Sequence, residues 1–286
     1  MTVDTEISAR KEQFMEQQRK LKDKMGRIKH KVAVISGKGG VGKSTVTVNL
    51  ATAFAMHGYA NVGILDADIH GPSVPKMMGL TGQKLQVGPS GVYPALGSLG
   101  IRVVSMDFLL PDENAPVIWR GPLKMTAIRQ FLSDIVWGDL DILFIDLPPG
   151  TGDEPLSVAQ LLPEMDGVVI VTIPSEVSQV VVKKAVTFAR RLGMPIIGVI
   201  ENMSSFICPH CGGQVDIFQS GGGKKIAEES GIAFLGSVPI DQKICEGADK
   251  GTSFIVECAD SPASKAFMEI VEKIDAFLKS KEDTAT

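Results

Sequence analysis

The chain has 286 residues, 44% hydrophobic and 22% charged, enough to bury one sizeable α/β core. Its net charge of -4 leaves no electrostatic footprint for nucleic acid, no run approaches about eighteen apolar residues, and the charged N-terminus has no signal-peptide core. Four cysteines, two of them closely spaced, suit a reducing compartment better than a disulfide framework, so the expectation is a cytoplasmic enzyme contacting neither membrane nor nucleic acid.

Residues 1–30 are rich in Lys, Arg, Glu and Gln, with no glycine before Gly26. Ile7, Phe14, Leu21 and Ile28 form a stripe of one apolar residue per two helical turns, too thin for a stable coiled coil. The segment reads as a peripheral helix on the core or on a partner, with a partly disordered tail as the alternative. Lys31–Ser36 is a β-branched run that reads as a buried strand.

Next comes Gly37-Lys38-Gly39-Gly40-Val41-Gly42-Lys43-Ser44, which fits the phosphate-binding pattern G-x-x-x-x-G-K-[ST]. Its glycines let successive backbone N–H groups turn inward around phosphate oxygens. Lys43 can reach the β- and γ-phosphates, and the Ser44 hydroxyl can coordinate Mg²⁺. The following residues to Met56 carry apolar positions at helical spacing and end at Gly58, so a helix dipole also points at the phosphates. Because a lysine directly follows the first glycine, the loop resembles the deviant Walker A ATPases. That resemblance implies that Lys38 crosses a dimer interface to nucleotide held by a second subunit.

Further apolar runs at Val62–Leu65, Ile101–Ser105, Ile142–Ile145, Val168–Thr172 and Ile196–Ile200 read as strands, with helical segments such as Val177–Leu192 between several of them. This alternation predicts an α/β fold: a mainly parallel sheet with helices on both faces. Ligands in such sheets bind at the carboxyl ends of strands. Asp66 and Asp68 follow the second strand there, spaced to point the same way toward Mg²⁺ and an attacking water. Asp146 ends a run of four apolar residues in the Walker B arrangement, placed to hold the Mg²⁺ shell. In the loop that follows, Gly150 N–H is expected near the γ-phosphate, in a segment that changes shape when that phosphate leaves. Asn202, just beyond Ile196–Ile200, is expected to read the purine edge. Val238-Pro239-Ile240-Asp241 is expected to form the other wall of the base pocket, with Pro239 counted among the ATP-binding residues. The residues themselves do not separate ATP from GTP.

Cys208-Pro209-His210-Cys211 lets two thiolates converge on one metal centre, although clusters and tetrahedral zinc sites usually want four ligands. Cys245 and Cys258 stand in contexts expected of ordinary buried cysteines. The missing ligands can come from the same motif on a second subunit, since an isologous interface presents one patch twice. A dimer-bridging zinc and a redox dithiol are the competing readings, with a plain loop behind both. His210 is expected to point to solvent. The C-terminal Ser261–Lys279 is amphipathic and expected on the sheet edge, with Ser280–Thr286 fraying.

Taken over about residues 30–280, the chain resembles the Mrp- and ApbC-type iron–sulfur cluster carrier ATPases. The match rests on Gly37–Thr45, Asp66–Ser73, Trp119-Arg120-Gly121-Pro122, Asp146–Glu154, Glu201-Asn202-Met203 and Cys208–Cys211. It implies ATP, with Gly37 through Ser44 and Thr45 around the phosphates. It also implies Mg²⁺ at Ser44, Asp66 and Asp146, a water-orienting Asp68, and a switch at Asp68 and Asp153. The expected cargo is a labile [4Fe–4S] cluster shared by Cys208 and Cys211 of two subunits in a homodimer. The implied partners are an upstream assembly scaffold and apo-proteins that accept the cluster. Lys38, Lys43 and Asp68 are the implied catalytic set, turnover is expected to be slow, and Arg120 is the one candidate arginine finger. The N-terminal four-cysteine cluster of eukaryotic members is not found in residues 1–30, and there is no room for the small leading domain of many bacterial ones. A minimal bacterial or archaeal form is therefore expected.

The expected organisation is a charged segment at 1–30, an ATPase domain at 31–280 with a cysteine-bearing insertion at 203–222, and a disordered tail at 281–286. The alternatives are a MinD/ParA-like spatial regulator, a zinc-bridged regulatory ATPase and an electron-transfer ATPase of the nitrogenase iron-protein kind. The mixed charge of the C-terminal helix argues against the membrane- or DNA-binding regulator.

Overall fold

Strands with no polar face must be covered on both sides, and the chain covers them with two layers of helices. The computed structural model describes residues 3–68, 71–109, 129, 132–162, 165–208, 211–217 and 221–285. In chain order these include α1 Val3–Met25, β1 Ile28–Ser36, α2 Lys43–Met56, β2 Val62–Asp66 and α3 Val74–Met77. Then come β3 Gln86–Gly88, β4 Gly91–Tyr93, β5 Ala95–Leu96, β6 Arg102–Ser105, β7 Leu140–Asp146, α4 Asp153–Leu161 and β8 Gly167–Thr172. The remainder is α5 Glu176–Arg191, β9 Ile196–Ile207, β10 Gln214–Val215, α6 Gly222–Ser230, β11 Phe234–Ile240, α7 Gln242–Lys250, α8 Phe254–Glu257 and α9 Pro262–Ala285.

The main sheet runs β10-β9-β8-β1-β7-β2-β6-β5, with β11 also pairing β9. Only β5 and β10 are antiparallel to their neighbours. Alternation along β1 sends Ala33 and Ile35 to a core with residues of α1, α4, α5 and α6. Val32 and Val34 face a second core with α2, α3, α8 and α9. Parallel pairing puts the carboxyl ends of β1, β2 and β7 side by side, with Asp66 in register with Asp146.

Three expectations change. The seven-residue stripe does not continue through Ile28, because α1 stops at Met25 and Ile28 opens β1. Within α1 burial falls on Leu21, a residue of the stripe, and on Met25 one turn further, while Phe14 is 39% exposed beneath the Arg129 guanidinium. A boundary at residue 30 therefore cuts a strand. Second, 281–286 is not a disordered tail over the described residues: α9 continues to Ala285. Its polar end is tied down, with Lys281 Nζ donating to Asp166 O at 2.7 Å and Glu282 pairing Lys29 and His30 at 2.9 Å. Third, β9 runs beyond Glu201 to Ile207, because β11 on one side and β10 on the other satisfy its backbone.

Candidate functional site

The phosphate loop joins β1 to α2, and two of its glycines hold left-handed conformations that strongly favour glycine. Gly40 and Gly42 have φ of 76° and 78°, and Gly42 is the N-cap of α2. Gly37 is required for a different reason. A Cβ there would stand 2.2 Å from Val181 Cγ1 and 2.5 Å from Val181 O, so α5 packs directly on the loop backbone.

The side chains form a buried polar knot. Lys43 is 6% exposed and its Nζ lies 2.7 Å from Asp146 Oδ2. Ser44 Oγ donates to the same oxygen at 2.6 Å, and Thr47 Oγ1 donates to Asp146 Oδ1 at 2.8 Å. Thr47 lies one turn along α2 from Lys43, so helical spacing puts both on Asp146. Asp66 is fully buried, accepting from the Ser105 hydroxyl at 3.1 Å and from the amides of Asp68 and Val74. Burial, and then the Asp146 carboxylate beside it, push Asp66 up to about 8, against the opposing pull of Lys43. Two buried carboxylates against one lysine favour a further cation, and the donor set of Ser44, Asp66 and Asp146 oxygens suits a hard one such as Mg²⁺.

Asp68, 9% exposed, accepts from the Gly71 amide at 3.3 Å. Lys38 is half-buried, and its ammonium makes no ion pair among the described residues. Gly150 has φ of 95°, and its N–H is committed to Ser36 O at 2.8 Å rather than turned free toward the loop. Asp153 and Glu154 form the first turn of α4. Asn202 is also differently engaged from expectation: its Nδ2 donates to Val41 O at 2.9 Å, bracing the phosphate loop. Pro239 lines a cavity of about 420 Å³ together with Phe206, Ile207, Asp241, Gln242 and Lys243. Ile69, His70, the Trp119–Pro122 stretch with Arg120, Pro209 and His210 lie outside the described residues.

The two thiols sit at the tip of the β9–β10 hairpin. Cys208 N donates to Gly213 O and Gly212 N to Cys208 O, both at 2.9 Å, which curls the loop so that its cysteines share one end. Cys208 is half-buried and Cys211 exposed, and neither is in a disulfide. Among the described residues no group of three or more His, Cys, Asp or Glu side chains is placed to hold a metal. Cys245 is exposed rather than buried, because it falls on the outer face of the amphipathic α7; Cys258 is half-buried against the second core. Thr47, Ser105 and Val181 carry no motif signal of their own. Of the three, Thr47 alone could have been found from the sequence, one helical turn beyond Lys43.

Comparison with known proteins gives a consistent picture. A family model described as NUBPL iron-transfer P-loop NTPase matches residues 27–275. A protein of Methanocaldococcus jannaschii named iron-sulfur cluster carrier protein is 51% identical over 273 residues, covering 96% of this chain and 93% of its own. One of the same name from Saccharolobus solfataricus is 54% identical over 263 residues, covering 92% and 88%. A solved nucleotide-binding protein from Archaeoglobus fulgidus, in complex with ADP, is 40% identical with a TM-score of 0.76, covering 88% of this chain and 96% of its own. The septum site-determining protein MinD of Pyrococcus horikoshii, with Mg-ADP, has a TM-score of 0.64 at 21% identity, covering 86% and 96%, and shares the fold.

Proposed function

The chain belongs to the NUBPL iron-transfer P-loop NTPase family, and from that premise we propose that it is an ATP-hydrolysing carrier of iron–sulfur clusters. The cargo is a labile [4Fe–4S] cluster held across a homodimer by Cys208 and Cys211 of each subunit, received from an assembly scaffold and passed to apo-proteins. The observation that carries this reading is the hairpin tip: two thiols, one exposed, in the turn that follows the strand bracing the phosphate loop. Two ligands per chain make half a site. The apolar Val215 and Ile217, 54% and 53% exposed beside the cysteines, suit a contact with a second copy.

Hydrolysis in this reading is mostly positioning and charge neutralisation. Lys43 leaves Asp146 for the β- and γ-phosphates, and Lys38 reaches the nucleotide of the partner subunit. Asp68 orients the attacking water. Mg²⁺ would be held by Ser44 with Asp66 and Asp146, and would supply charge neutralisation at the phosphates. The purine would occupy the cavity beside Pro239, whose other wall is Phe206–Ile207, immediately before Cys208. Exchange of Ser36 O for a phosphate oxygen at Gly150 N–H gives the segment from Leu147 to Asp153 two states.

Anaerobic reconstitution with iron and sulfide tests the proposal. About four Fe per dimer are expected, absent from Cys208→Ala and Cys211→Ala, with ATP affinity unchanged in both. Stoichiometric zinc with no iron chromophore would overturn it.

A further inference from the structure

The loop that carries the thiols leaves the sheet at the end of β9 and rejoins the core at α6. Among the described residues, two features tie it back to the core. The inner one is the β9–β10 pairing, Phe206 with Val215 and Ile207 with Gln214, extended by the turn bonds between Cys208 and Gly212–Gly213, and both residues of β10 are exposed. A hairpin that short is marginal on its own. The outer one is a single carboxylate. Glu201, on β9, is 1% exposed. Its Oε1 accepts from the Gly221 amide at 3.2 Å and the Ser237 hydroxyl at 3.3 Å, and its Oε2 accepts from the Gly223 amide.

Gly221 lies 20 residues beyond Glu201, so one side chain joins the two ends of the whole excursion. The amides it accepts belong to the start of α6, where N–H groups lack helical partners and the dipole favours an anion. No acidic residue in the first turn of α6 supplies that anion locally. The fit is close: a Cβ at Gly223 would stand 2.9 Å from Glu201 Cβ. The next residue faces the other way, Asn202 to Val41 O, and Met203 then takes a left-handed φ of 55° before the hairpin begins. The limb bearing the cysteines is thus referenced to α6 by one residue and to the phosphate loop by its neighbour.

We propose that Glu201 is a positioning residue for the thiol pair. Its carboxylate holds the return limb against β9, so that Cys208 and Cys211 are presented as a preformed two-toothed ligand. The proposal rests on the carrier reading only for the identity of the cargo, not for the role of the thiols as ligands.

The test uses the full chain as wild type, Glu201→Gln and Glu201→Ala. Each is titrated with Co²⁺, followed by thiolate-to-cobalt charge-transfer absorption, and each is assayed for ATP affinity and for cluster uptake. Residues that orient metal ligands typically contribute about 10- to 100-fold in affinity, so Glu201→Ala is expected to weaken Co²⁺ binding about tenfold or more. Glu201→Gln falls between, because the amide keeps one acceptor but turns an NH₂ toward a backbone N–H. ATP affinity stays within about twofold in both. Unchanged Co²⁺ affinity in Glu201→Ala overturns the proposal. So does parallel loss of ATP binding and cooperative unfolding in both variants, which makes the role purely structural. If wild type binds Co²⁺ through its cysteines yet takes up no iron–sulfur cluster, the cargo reading fails and the Co²⁺ arm still decides the role of Glu201.

Discussion

The phosphate loop and the cysteine loop are both glycine-bearing turns at strand ends, but they are held in opposite ways. The first is enclosed: α5 packs on Gly37, Asn202 braces Val41, and Lys43 and Asp146 are buried together. The second is more exposed, and among its described residues it is held by a short strand pairing, the turn bonds at Cys208 and one distant carboxylate. A site that must form the same contacts at every turnover profits from enclosure. In the proposed reading, the cysteine loop must give its cargo away, and that needs solvent and a partner on its open side.

The largest stability effect should come from the enclosed loop. Asp146→Ala leaves Lys43 buried without its counterion, and removing one partner of a buried pair costs about 3 kcal/mol or more. Urea unfolding should show that loss, and ATP hydrolysis should disappear with it. Wild-type stability in this variant would mean the lysine escapes to solvent and the enclosure is weaker than described. Next in size is Gly37→Ala, whose methyl overlaps Val181, an overpacking cost of about 1–3 kcal/mol with weakened ATP binding. Adding Val181→Ala should not restore the loop, because the Val181 carbonyl remains in the way; full recovery would move the constraint to the side chain.

Thr47→Val removes one hydroxyl from Asp146 and should cost about 1 kcal/mol. A neutral result would leave Ser44 and Lys43 sufficient to orient that carboxylate. The smallest effect tests the other loop. Among the described residues a Gly213→Ala methyl meets just Cys211 Sγ, at 3.3 Å, so unfolding free energy should stay within about 0.5 kcal/mol. A loss as large as that of Gly37→Ala would remove the distinction between the two loops.

Much of the geometry around Gly37–Ser44 was legible because its parts are local. A glycine run between a strand and a helix dictates backbone geometry within eight residues, and Asp66 and Asp146 each end an apolar run that can only be a buried strand. Ser105 was not legible, since it meets Asp66 only through the pairing of β2 with β6. Val181 was not legible either, because its contact with Gly37 depends on how α5 lies over the sheet. The seven-residue stripe of the N-terminal segment misled for the same reason. Periodicity gives a face but not the residue where a helix yields to a strand, and here that point lies between Met25 and Ile28.

The sequence by itself determined the two local patterns, a glycine loop at Gly37–Ser44 and a thiol pair at Cys208 and Cys211, because each is written in adjacent residues. Only the tertiary structure decided how they are joined. Residues 201 and 202 point to opposite sides of one strand, so Glu201 reaches α6 while Asn202 reaches the phosphate loop. That division follows from the two-residue period of a strand and from which elements the sheet brings to each face, and neither can be read along the chain.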